Sequence, residues 1–186
     1  MAAEFIEYIL QRAKEEGEEV YEKAREIIEE GKARSSLTLK GFEKEVEVDG
    51  RKYVVKVISG GAEFDEGRSG KKLLRIRITA EVGRVEGEHT IVNRVVREYT
   101  ITFGRRGRNN AALGYATAKA DAPSDRRADA ERFSALIKAL TGKEPWVYQR
   151  SDGKIEVACG REHLDNFKRF AELADAIEKW LEETGR

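Results

Sequence analysis

Seven cationic residues in the middle of the chain have the type and spacing to hold phosphate. Arg75 and Arg77 alternate in one apolar-patterned stretch, Arg94 falls in the next, and Arg105, Arg106 and Arg108 cluster at its end, with Lys119 further on. On a strand, residues two apart share a face. Arg75 and Arg77 would therefore form a row able to track backbone phosphates, and arginine can also reach guanine edges with two hydrogen bonds. The competing reading is neutralisation by Glu81, Glu86, Glu88 and Glu98, which lie in the same stretches. Tyr99 and Tyr115 have faces on which bases stack, but both sit in strand patterns where packing is the commoner role.

Other chemistry is sparse. Cys159 and His163 are close enough in sequence for a nucleophile and base, yet no third residue orients them. Asp121, Asp125 and Asp129 precede or open a helix, where carboxylates favour the N-terminus. The glycines at 60, 61, 67 and 70 fit neither phosphate-binding spacing. No catalytic residue, metal ligand set or cofactor is read from the chain.

The charge supports a basic middle. Lys+Arg and Asp+Glu both number 35, so the net charge is zero, yet residues 71–119 carry 11 basic against 4 acidic side chains. Charged residues make up 38% of the chain, with one Cys and one Met. That is well above the usual share of roughly 25%, and it is the composition of a hyperthermophile protein rich in surface ion pairs. The single Cys159 fits a reducing compartment. No apolar run approaches the ~20 residues of a membrane span, and residues 1–10 lack the pattern of a signal peptide. The expectation is a cytoplasmic protein with no membrane partner.

The elements that must position these residues follow from periodicity. A helix is expected from residue 4 to about 31, with Phe5, Ile6, Ile9, Ala13, Val20, Ala24, Ile27 and Ile28 as its stripe, Gly17 weakening it and Gly31 ending it. Leu37 to Val48 and Lys52 to Ile58 read as strands around the Asp49-Gly50 turn, and 59–71 as a flexible loop. Strands are expected at about 72–83 and 89–103, then a basic loop at Arg105, Arg106 and Arg108. A fifth strand over 111–120, rich in Gly and Ala, would cross close to another element. The end of the chain is an α-β-β-α unit. Its first helix carries Phe133, Leu136, Ile137 and Leu140, capped by Ser124 or Asp125 and stopped by Gly142. A hairpin around Ser151-Asp152-Gly153 follows, then one long helix on which Leu164, Phe167, Phe170, Ala174, Ile177 and Leu181 share a face.

The stretches Ala139-Leu140-Thr141-Gly142-Lys143-Glu144-Pro145 and Phe170-Ala171-Glu172-Leu173-Ala174-Asp175-Ala176-Ile177 resemble the paralogous-repeat (PaRep-type) proteins of hyperthermophilic crenarchaea. That resemblance implies an archaeal source and a fold rather than an activity. The helix, hairpin and closing helix are also similar, more distantly, to a LAGLIDADG-type homing endonuclease, which implies a DNA-binding saddle. At Leu113-Gly114-Tyr115-Ala116-Thr117-Ala118-Lys119, however, Thr117 and Lys119 stand where that motif would place its acids, which argues against cleavage.

The expected fold is α+β, one domain over 1–186: a mostly antiparallel sheet with an N-terminal helix and two C-terminal helices packed on it. The alternative is two smaller units, 1–110 and 111–186. The expected function is non-catalytic nucleic-acid binding, duplex DNA favoured, through Arg75, Arg77, Arg94, Arg105, Arg106, Arg108 and Lys119. A protein-interaction or self-association module is the alternative, and a metal-dependent nuclease the third reading.

Overall fold

The computed structural model of the chain describes residues 2–23, 25 and 37–185. The chain divides into a unit within residues 1–36 and a second within 37–186. In the first, α1 spans Ala2–Glu16 and stops at Gly17, where φ is +135°. Residues 18–23 are helical again. The long expected helix is therefore broken at Gly17 rather than merely weakened, because this glycine takes a backbone conformation closed to other residues. Ala24, Ile27, Ile28 and Gly31 lie outside the described residues.

The second unit is α+β. Its elements run β1 (Glu43–Val48), β2 (Arg51–Glu66), β3 (Lys72–Glu86), β4 (Thr90–Arg106), β5 (Ala111–Thr117), α2 (Arg126–Thr141), β6 (Trp146–Gln149), β7 (Ile155–Cys159), α3 (Arg161–Phe167) and α4 (Ala171–Thr184). The strands form one antiparallel sheet in the order β1-β2-β3-β4-β5-β7-β6. Asp49 and Gly50, with φ of 51° and 75°, make the expected tight β1–β2 turn. The sheet curls: β1 and β6, its two edges, both border one cleft alongside α2.

Alternation builds the core. Val55, Leu74, Ile76, Ile78, Ala80, Val82, Ile101 and Phe103 are at most 1% exposed and face the helices. Against them pack Phe133, Leu136 and Ile137 of α2, Leu164 and Phe167 of α3, and Leu173, Ile177 and Trp180 of α4. The Asp125 carboxylate caps α2 by accepting from the Ala128 N–H at 2.7 Å, and Gly142 closes it in the left-handed conformation. Trp180 closes the core edge and donates its indole N–H to the Lys72 carbonyl at 3.0 Å.

Three expectations need correction. The segment 59–71 is not a flexible loop: β2 runs through it to Glu66, leaving only a short 3₁₀ turn at Arg68–Gly70. Gly60 lets Leu39 cross directly over the strand, since a Cβ there would meet Leu39 Cδ1 at 2.5 Å. Second, no strand begins at Leu37. Leu37 bridges Phe170, and the Leu39 and Lys40 N–H groups donate to the Glu172 carboxylate at 2.8–3.0 Å, so the ladder starts at Glu43. Third, that same bridge splits the closing helix. Ala171 N–H donates to the Leu37 carbonyl, Phe170 is extended, and α3 and α4 are separate helices.

The fifth strand behaves as its composition suggests. Gly114 lies against the Phe103 ring, which a Cβ would approach to 2.8 Å.

Ile177 is fully buried between α4 and the sheet. Ile177→Ala is expected to lower the unfolding free energy in a urea titration by about 2–5 kcal/mol, through lost burial and the cavity left behind. An unchanged midpoint would place this helix outside the core.

Candidate nucleic-acid interface

The sheet has a helix-covered face and an outer face, and strand parity assigns each predicted cation to one of them. Arg75, Arg77 and Arg94 lie on the outer face, but each has an acid beside it. Arg75 pairs with Asp65 across the β2–β3 ladder. Arg77 Nε is 2.9 Å from Glu63, with Glu98 at 4.0 Å on its other side, and Arg94 is 3.9 Å from Glu81. Two of these partners, Glu98 and Glu81, belong to the acids of the competing sequence reading. The other two sit on the stretch read as a loop.

Arg105 is not in a loop and does not face outward. It continues β4 opposite Ala112, on the helix side. Its Nε donates to Thr184 Oγ1 at 3.1 Å, Nη1 donates to the Asn110 carbonyl at 3.0 Å, and the guanidinium lies 5.1 Å from the Trp180 ring centroid. Burial, with Arg161 nearby, lowers its pKa. Arg105 fastens the end of α4.

Arg106, Arg108 and Lys119 differ. None of them has a carboxylate partner among the described residues. Arg106 ends β4 on the outer face, with its guanidinium 4.7 Å from the Tyr115 ring centroid. Arg108 is exposed in the β4–β5 turn, and Lys119 is exposed just past β5. Its backbone N–H donates to Asp129 at 2.8 Å. The two arginines and the lysine thus stand at opposite ends of β5.

Between them the outer face is aromatic. Tyr115, Ala158 and Trp146 lie opposite one another on β5, β7 and β6, and Thr117, Glu156 and Tyr148 form the next row. Trp146 is 53% and Tyr148 42% exposed. The Tyr148 hydroxyl donates to Glu156 at 2.7 Å, which raises the phenol pKa and helps lower that of the carboxylate. Lys143 Nζ sits 5.5 Å from the Trp146 ring. Sequence reasoning found Tyr115 but missed Trp146 and Tyr148. Their place on the outer face follows from the pairing of β6 with β7.

The Cys159–His163 pair is committed to structure. Burial pushes the Cys159 thiol up to about 12, holding it protonated. His163 is fully buried. Its Nδ1 accepts the Gly160 N–H at 3.0 Å and its Nε2 faces the Glu144 carbonyl at 3.0 Å. Asp125 is the α2 cap and Asp129 is an ion-pair partner, described below. Among the described residues no three or more His, Cys, Asp or Glu side chains gather as metal ligands, and no helix is long and apolar enough to cross a membrane.

No family model matches the sequence, and no curated protein or solved structure matches the chain.

Two outcomes follow. Arg105→Ala should lower stability in urea by about 1–2 kcal/mol, through a lost cation–π contact and hydrogen bonds, whereas Arg106→Ala should change it by less than about 1 kcal/mol. Burial depresses the His163 pKa below its ordinary value of 6.5. The unfolded chain therefore binds this proton more readily, so the stabilisation is complete above about pH 6.5 and is lost as pH falls toward the depressed native value. The thermal midpoint of His163→Gln should decline less steeply than the wild type between pH 7 and 5.

Proposed function

We propose that the chain is a non-catalytic protein binding single-stranded nucleic acid, with bases stacked on Tyr115, Trp146 and Tyr148 and phosphates at Arg106, Arg108 and Lys119. The observation that carries this is the coincidence of the exposed Trp146 and Tyr148 and the half-buried Tyr115 with those predicted cations that have no carboxylate partner. Base–aromatic stacking is worth about 1–3 kcal/mol per base and tolerates any sequence. A duplex keeps its bases stacked on each other and needs a track of free charge. Arg75, Arg77 and Arg94 are a poor track because their charge is already shared with Asp65, Glu63, Glu98 and Glu81. The archaeal paralogous-repeat resemblance adds no activity to this reading.

A second reading, self-association, is favoured by β6. This edge strand exposes Trp146, Val147 and Tyr148 and holds no charged residue, whereas the opposite edge, β1, carries Glu43, Lys44, Glu45 and Glu47. Unguarded edges pair with further strands. Antiparallel pairing of two copies about Val147 would set Glu144 opposite Arg150. Concentration-dependent sedimentation abolished by Val147→Lys would favour this reading.

Fluorescence anisotropy with labelled oligonucleotides tests the first. Single strands should bind more tightly than duplexes, and Tyr115→Ala or Trp146→Ala should each weaken binding by about 1–3 kcal/mol. Replacing Arg106, Arg108 and Lys119 one at a time should flatten the slope of log K against log salt by about 0.7 each. Binding that ignores all five substitutions, or no binding at low salt, would reject the proposal.

A further inference from the structure

On the helix side of the sheet, away from the aromatic platform, arginines gather beneath the first turn of α2. Arg97 projects inward from β4 opposite Ala80, and its Nη1 donates to both oxygens of the fully buried Asp129 at 2.7–2.8 Å. Arg132, 4% exposed, lies one turn along α2. Its Nη2 donates to the Pro123 carbonyl at 2.9 Å and stays 3.8 Å from Asp129. Neighbouring Arg51 holds Glu131, at 2.8 and 3.0 Å, and Glu131 also accepts from Tyr53. Arg84 faces the same side, opposite Tyr53, and has no carboxylate partner among the described residues.

The charges do not balance. Arg51, Arg84, Arg97 and Arg132 meet only Asp129 and Glu131, an excess of two positive charges. The Nε atoms of Arg97 and Arg132, together with the Tyr99 hydroxyl, are buried without a hydrogen-bond partner. Desolvation pushes the Tyr99 phenol up to about 12 against the opposing charges of Arg97 and Arg132, so it stays neutral. Buried donors and uncompensated cations are costly; of these three groups only Arg132 borders a cavity, and an anion there relieves both costs at that residue. Arg51, Arg84 and Arg132 line one cavity of about 170 Å³, beside the first turn of α2, where the Ala128 N–H is already held by the Asp125 carboxylate.

We infer that this cavity is a binding site for a tetrahedral oxyanion of the phosphate class, held by Arg84 and Arg132 with Arg51 at its rim. The charge excess calls for a dianion, and the arginine forks match its oxygens. Free phosphate and a phosphate monoester share this chemistry.

The test is the thermal midpoint at pH 7 as millimolar inorganic phosphate or methyl phosphate is added, with ionic strength held constant by NaCl. Wild type and the surface control Arg68→Gln, exposed in the β2–β3 turn, should both show a saturable rise, with at least one of the two ligands. In Arg84→Gln, a half-exposed position outside the packed core, the apparent affinity should fall at least tenfold. Isothermal calorimetry with the same two ligands reads the affinity directly, without reference to unfolding. A saturable rise with inorganic phosphate alone assigns the site to the free ion, and one with methyl phosphate assigns it to an ester terminus. No saturable rise with either ligand, or one equally strong in Arg84→Gln, would overturn the inference.

Discussion

Side chains alternate faces along a strand, and α2, α3 and α4 all pack on the same face of this sheet. That constraint decides the fate of the arginines on the strands. A cation of core parity meets the helices, and Arg97 finds its partner in Asp129 and Arg105 at the end of α4. Arg97 stacks over the Tyr99 and Phe133 rings as well, at 4.3 and 5.6 Å, so one side chain links β4 to α2 by charge and by packing. Removing Asp129 would leave buried guanidinium groups unpaired, a situation worth several kcal/mol.

Residues of the other parity face water and compete for neighbours. With 35 basic and 35 acidic residues in the chain, most outer-face arginines meet an acid on the adjacent strand. Such exposed pairs contribute little stability at ordinary temperature, but they take up charge that a polyanion would otherwise use. The exceptions lie toward the β5–β7–β6 end, where alanine, threonine and aromatic residues leave Glu156, already paired with Arg150, as the one carboxylate on the outer face of these strands. The surface that remains for a ligand is therefore narrower and more aromatic than an arginine row implies.

Much of the fold was legible in sequence because it rests on local rules. The Asp49-Gly50 turn, the inward row from Leu74 to Val82, the Asp125 cap and the Gly142 stop are all short-range signals. What escaped depends on distant partners. Nothing near Ser59 announces that Leu39 will cross over Gly60 and keep the chain extended, and no local feature of Phe170 predicts that Leu37 will bridge it and split the closing helix. The site was half legible for the same reason. The spacing of Arg75 and Arg77 correctly placed them on a wet face, but their acids come from residues 63 and 65, read as loop, and from the next strand. Arg105 and Arg106 are adjacent in sequence and opposite in role, because one step along β4 exchanges the helix side for the outer face. Arg84, Arg97 and Arg132 were not singled out at all; only the fold brings them together.

On the proposed reading, the aromatic end of the outer face, rather than the arginine row of β3, meets nucleic acid. Photo-crosslinking to a single-stranded oligonucleotide carrying 5-bromouracil, followed by peptide mapping, tests it most directly. Crosslinks concentrated at Tyr115, Trp146 and Tyr148 are the predicted result. Crosslinks confined to residues 72–86, or to the helices, would contradict it.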